Sequence, residues 1–72
     1  MTQASQHPNQ ERRRRMLAHC LWVAEWDQGY ALYAAERYER DSEGILIGLH
    51  DRVKRTIDRW NLEQEKEKNH EL

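Results

Sequence analysis

At 72 residues the chain has room for one domain at most, and a domain of that size buries only ~60% of the surface it exposes when unfolded. Charged residues make up 35% of it and hydrophobic ones 38%, with one proline, three glycines and no phenylalanine, a profile that fits a charged helical protein and argues against a β-sandwich. The net charge of -1 removes any global electrostatic drive toward nucleic acid.

Small scaffolds make up for a thin core with disulfides, a metal or oligomerisation. Cys20 stands alone, so no internal disulfide forms, and a lone thiol suits a reducing compartment. His7, His19, His50 and His70 are scattered, and none has a second histidine or cysteine three or four residues away. No metal and no cofactor is therefore expected, and a homodimer is the remaining remedy. No apolar run approaches the ~20 residues of a membrane span. The first ten residues, MTQASQHPNQ, lack the apolar stretch of a signal peptide. The expected location is a cytoplasm, away from any membrane.

In chain order, residues 1–8 read as a disordered polar tail closed by Pro8. Asn9 is a candidate N-cap, with Glu11 suited to a helix start. A long helix is expected over residues 9–40. Leu17, Leu21, Ala24, Gln28, Ala31, Leu32 and Ala35 share one sector of it, and that stripe crosses Gly29 without a change of phase. A glycine inside a helix costs ~1 kcal/mol relative to alanine, which a packed helix absorbs. One continuous helix is thus favoured over a break at Gly29 that would give three. Residues 41–44 form the turn, where Asp41 or Ser42 can cap the next helix and Gly44 relaxes the backbone. A second helix is expected over 45–66, with Leu46, Leu49, Val53, Ile57 and Trp60 as its apolar stripe. The short connection implies an antiparallel all-α two-helix hairpin, pairing into a dimeric four-helix arrangement. Residues 67–72 should fray. Residues 25–43 carry six acids and two bases, and residues 45–60 four bases and two acids, which favours folding one upon the other.

Three features bear on function. Trp22, Trp26 and Tyr33 lie within about 40° of one another on a continuous helix, opposite its core stripe, with Tyr30 beside them. Such a face serves either as a dimer core or as a partner-binding surface, with Arg37 alongside, since Trp, Tyr and Arg dominate interface hot spots. Arg12, Arg13, Arg14 and Arg15 form a basic collar that could contact phosphates or an acidic protein surface, though a solubilising helix start is the favoured explanation. Arg52, Arg55 and Arg59 line one side of the second helix, with Lys54 beside them. Had the first helix broken, residues 30–60 would loosely imitate a helix-turn-helix whose last helix reads DNA. Asp51 and Asp58 interrupt that basic side, and Asp51–Arg55 is an ordinary surface pair.

No Gly-rich phosphate loop, His-Glu metal motif or nucleophile beside a base is present in the sequence. His19 and Cys20 are neighbours on a helix and do not face each other, and Cys20 reads as a small buried hydrophobe. The chain is not expected to be an enzyme or to take a small-molecule substrate.

In layout, the polar tail (Met1 to Pro8), the arginine-led helix from Glu11, the turn from Asp41 to Gly44 and the second amphipathic helix resemble small helical-hairpin proteins that bacteriophages make early in infection. The layout covers nearly the whole chain, carries no diagnostic motif, and is shared by plasmid copy-number hairpins. The resemblance implies an inhibitor that binds a host regulatory protein or motor ATPase, and it assigns no residues. A protein partner is therefore the favoured expectation, with a small DNA-binding regulator using Arg12–Arg15 and the second helix as the alternative.

Overall fold

Val23 is where the expected long helix fails. Its carbonyl accepts from both Trp26 N and Asp27 N, each at 2.9 Å, and Glu25 N reaches Trp22 O at 3.1 Å. This tightened winding ends the first helix. Asp27 then adopts an extended conformation (φ -156°, ψ 97°), and its carboxylate accepts from Tyr30 N at 3.0 Å, satisfying one of the free N–H groups at the start of a new helix. The computed structural model describes residues 8–70, and the side chains of 9–67. It contains three helices, α1 (Pro8–Ala24), α2 (Gln28–Asp41) and α3 (Leu49–His70). The two-helix hairpin is thereby corrected to a three-helix, all-α fold. Gly29 is not the breaking point: it lies in the first turn of α2, two residues beyond the cap.

Packing explains why the break wins. A single rod over 9–40 would offer its stripe to one neighbour along one seam. Folded back on itself, it places Cys20 and Ala24 of α1 against Ala31 and Ala35 of α2 and closes both over Leu46, Leu49, Val53 and Ile57. All eight are buried, and Ala34 joins them. The unbroken phase across Gly29 was uninformative because the short 25–27 turn leaves the inward residues of α2 at the sequence spacing that one continuous helix would also give them. Small side chains at the seam let α1 and α2 lie close together. Val53 and Cys20 are the largest side chains that are fully buried, so the core is narrow. Met16, Leu17, Leu21, Leu32, Tyr38 and Trp60 pack around it, partly buried.

The second connection is also longer than expected. Residues 42–48 are turn, and α3 begins at Leu49, not at Ile45. Ser42 closes α2 instead of opening α3: its hydroxyl donates to Glu39 O at 2.8 Å and accepts from Leu46 N at 2.9 Å. Left-handed φ values occur at Glu43 (56°), Gly44 (93°) and Gly48 (89°), conformations that only glycine adopts without strain. Glu39 then reaches back from α2 to the start of α3. Its two carboxylate oxygens accept from Gly48 N (3.0 Å) and His50 N (2.9 Å). These bonds hold the Glu39 carboxyl below its ordinary range.

Glu39 thus fixes the end of α2 to the start of α3, and a pair of carboxamide hydrogen bonds between Gln28 and Asn61 (3.1 and 3.2 Å) fixes the other end. Leu17 of α1 meets Leu46 and Leu49, so α1 runs parallel to α3 and α2 antiparallel to both. Past Asn61, α3 projects beyond the bundle: residues 61–67 are exposed throughout, and the helix runs to His70. Pro8 belongs to α1, while residues 1–7 and 71–72, expected as tails, lie outside the described residues.

The charge asymmetry between the helices is not expressed as ion pairs between them. Every pair among the described residues is local and exposed: Glu11–Arg15 (3.9 Å), Arg40–Asp41 (3.5 Å), Lys54–Asp58 (3.1 Å) and Asp51–Arg55 (2.9 Å). Apolar burial and the two hydrogen-bonded ends hold the helices together. Pairs so exposed contribute little.

Candidate interaction face

The helix break divides the aromatic face expected from the sequence among three elements. Trp22 stays on α1, Trp26 occupies the α1–α2 turn, and Tyr30 and Tyr33 lie on α2. They are 58%, 77%, 56% and 52% exposed, more than half of each, although large aromatics contribute most when buried. Trp22 of α1 and Trp26 of the turn meet edge to face at 6.4 Å between centroids, and His19 lies 6.3 Å from Trp22. On α2, Tyr30 and Tyr33 are 6.1 Å apart.

Two residues that the sequence did not single out join these halves. His19 and Tyr38 approach to 6.2 Å across the α1–α2 seam, so the aromatic groups of both helices meet along one side of the pair. The His19–Trp22–Trp26 spacing of three and four residues was the available signal for His19. Nothing local marked Tyr38, which becomes part of the face only because α2 folds back.

Arg37 is held against the tyrosines. Its Nη1 donates to the Tyr33 hydroxyl at 2.9 Å, and its guanidinium carbon lies 5.8 Å from the Tyr33 ring centroid. The Tyr33 hydroxyl first, and then the charge of Asp41, keep this guanidinium firmly protonated. Tyr30, Tyr33, Ala34, Arg37, Tyr38 and Asp41 line an open recess of about 230 Å³. An aromatic wall with an oriented cation at its rim suits a planar or apolar side chain bearing a carboxylate or carbonyl.

The basic residues are only partly gathered. Arg13 and Arg52 line a shallow crevice with Leu17, Leu46, Ile47 and Leu49, bringing the α1 collar to the start of α3. Ile47 is 69% exposed at its mouth. Arg12, Arg14 and Arg15 point elsewhere around α1, all exposed. On α3, Arg55 is paired with Asp51 and Lys54 with Asp58, so the basic side is interrupted by carboxylates already in contact with it.

Cys20 is fully buried, and burial pushes its thiol pKa up, away from the reactive thiolate. His19 is exposed, so the two neighbours do face apart. No group of three or more metal-ligating side chains gathers among the described residues. None of the described helices is long and apolar enough to cross a membrane. No family profile, curated protein or solved structure matches the chain.

Proposed function

We propose that this chain is a protein–protein interaction module, an inhibitor or modulator that captures a larger regulatory protein or ATPase through the aromatic side of α1 and α2. The observation that carries this is the exposure of Trp22, Trp26, Tyr30 and Tyr33 on one side of a domain whose interior is built from alanines, a cysteine and aliphatic residues. A contiguous apolar patch of this kind on a soluble domain marks an interaction site, and Trp, Tyr and Arg are the residues that dominate such sites. The third helix loosens the likeness to two-helix phage inhibitors, so the reading rests on the face and not on the layout. The α2 half supplies the recess and its oriented cation, Arg37. Replacing Tyr30 and Tyr33 together with alanine should lower capture of a host protein by roughly thirtyfold or more, the loss expected of hot-spot residues. Circular dichroism should remain helical. Undiminished capture by a folded double variant would overturn the reading.

A second reading, a DNA-binding regulator, draws on the three-helix order and on the approach of Arg13 to Arg52. Against it stand the seven-residue 42–48 connection, longer than a helix-turn-helix turn, and the carboxylates within the basic side of α3. Its test is duplex binding that weakens steeply from low to physiological salt. No binding at low salt eliminates it.

A further inference from the structure

The proposed capture leaves one end of the molecule unused, the end at which α1 and α3 both begin. Ile47 projects there, 69% exposed, between the buried Leu46 and Gly48. The backbone on either side of it is tied to α2 and its cap: Leu46 N donates to the Ser42 hydroxyl at 2.9 Å, and Gly48 N donates to the Glu39 carboxylate at 3.0 Å. The turn therefore holds Ile47 outward, where it adds nothing to the core. Arg13 of α1 and Arg52 of α3 line the crevice beside it, together with Leu17, Leu46 and Leu49, and no carboxylate lines it. Neither guanidinium forms an ion pair among the described residues. Arg12 and Arg14, exposed and equally unpaired, flank Arg13 around α1.

Charge is divided along the bundle. Residues 9–19 and 35–55, the half nearer this end, carry nine bases against six acids, and residues 20–34 and 56–70 carry three bases against six acids. Of the six acids in the first half, Glu11, Asp41 and Asp51 each pair with an arginine, and Glu39 accepts from two backbone N–H groups. Among the described residues only Glu36 and Glu43 remain to oppose Arg12, Arg13, Arg14 and Arg52. The net charge of -1 conceals this division, which is why a membrane surface was not among the expected partners.

We propose that this end docks on the surface of an anionic phospholipid bilayer. Ile47 enters the boundary between headgroups and acyl chains, and Arg13 and Arg52 meet lipid phosphates beside it. Arg12 and Arg14 add to the attraction, since each cation near an anionic leaflet strengthens binding. The contact lies on the bilayer and needs no helix that crosses it. Two features favour lipid over other anionic partners. A nucleic-acid backbone offers phosphates but no apolar layer for Ile47. A protein surface would need fixed carboxylates matched to arginines that are spread around a helix, whereas mobile headgroups gather wherever the cations stand. The site goes beyond the capture reading and does not rest on it, because none of its residues belongs to the aromatic side.

The test is co-sedimentation of the full chain with vesicles of equal parts phosphatidylglycerol and phosphatidylcholine, against vesicles of phosphatidylcholine alone. Wild type should partition onto the anionic vesicles and not onto the neutral ones, and salt should weaken the binding. Ile47→Asp, and separately Arg13→Glu with Arg52→Glu, should each lower the partition coefficient by roughly tenfold or more. Both sets of side chains are exposed, so helical content should not change, while Ile47→Leu should bind as the wild type does. A wild type that ignores both vesicles or binds them equally would overturn the proposal, as would folded variants that bind undiminished. So would a wild type that leaves the vesicles but is retained by immobilised polyglutamate through Arg13 and Arg52, which assigns this end to an acidic protein. Trp and Tyr also favour membrane interfaces, so Tyr30→Ala with Tyr33→Ala and Trp22→Ala are the controls. Either should bind anionic vesicles as the wild type does; if binding is lost, the aromatic side meets the bilayer and the proposal falls. Loss of protein capture with vesicle binding intact would sink the capture reading alone.

Discussion

The inner and outer sides of the α1–α2 pair invert the usual order of size. Inside lie Cys20, Ala24, Ala31 and Ala35, each almost or wholly shielded from water. Outside, on the same two helices and the turn between them, lie Trp22, Trp26, Tyr30 and Tyr33, each more than half exposed. Folding alone would favour the reverse, since burying a large apolar side chain stabilises a domain by about 1.5–3 kcal/mol. The inside is therefore shaped by distance of approach, because small residues let two helices close over α3. The outside is shaped by something other than folding, which is what the proposed contact with another protein would require.

Substitutions on the two sides should break this comparison or sharpen it. The largest effect is expected inside. Ile57→Ala should destabilise the domain by about 2–5 kcal/mol, enough to unfold much of a protein this small, because it opens a cavity in a core with few large side chains. Trp22→Ala removes more atoms from the outside, and should shift stability by no more than about 0.5 kcal/mol in the monomer. Urea denaturation of both variants at low concentration tests the contrast; equal losses would show that the aromatic side supports the fold.

The junctions between helices come next. Glu39→Gln keeps one accepting oxygen and replaces the other by an NH2 that cannot accept, so one of the two hydrogen bonds to the start of α3 is lost and the other loses its charge; about 1 kcal/mol or more should be lost, as for a helix cap. The same residue sets a pH dependence. The folded-state pKa of Glu39 lies below its ordinary value of 4.5, so the native state favours the charged form. Its contribution is complete above that ordinary value and is lost as pH falls through the lower folded value. Thermal melts between pH 7 and pH 3 should show an acid-side loss for the wild type that is reduced in Glu39→Gln.

The smallest effects concern glycine. A Cβ added at Gly29 would meet only Asp27 Oδ1, at 3.6 Å, an ordinary contact, so Gly29→Ala should stabilise α2 by up to about 1 kcal/mol. Gly48 also has open space around it, but its φ is +89°, so Gly48→Ala should destabilise by about 1 kcal/mol. Melting temperatures that move the same way in both variants would contradict this account of the two turns.

Periodicity and composition were sufficient for the helical class, for the buried stripe of Leu46, Leu49, Val53 and Ile57, and for the separation of a small-residue side from an aromatic side. These are local matters, written in the spacing of side chains around a 3.6-residue turn. The division of residues 9–40 into α1 and α2 was not legible in that way, because the 25–27 turn happens to leave the inward residues of both helices in the phase of one. Asp27, an N-cap three residues before Tyr30, was a local signal that periodicity does not register. The chain fold-back alone brought Tyr38 to His19, and Glu39 to Gly48 and His50, since those partners are far apart in sequence. The sequence by itself thus determined which residues face inward and which outward. Only the tertiary structure decided how many helices carry them, because a break depends on whether folding back buries more surface than a continuous rod, a comparison no single helix contains.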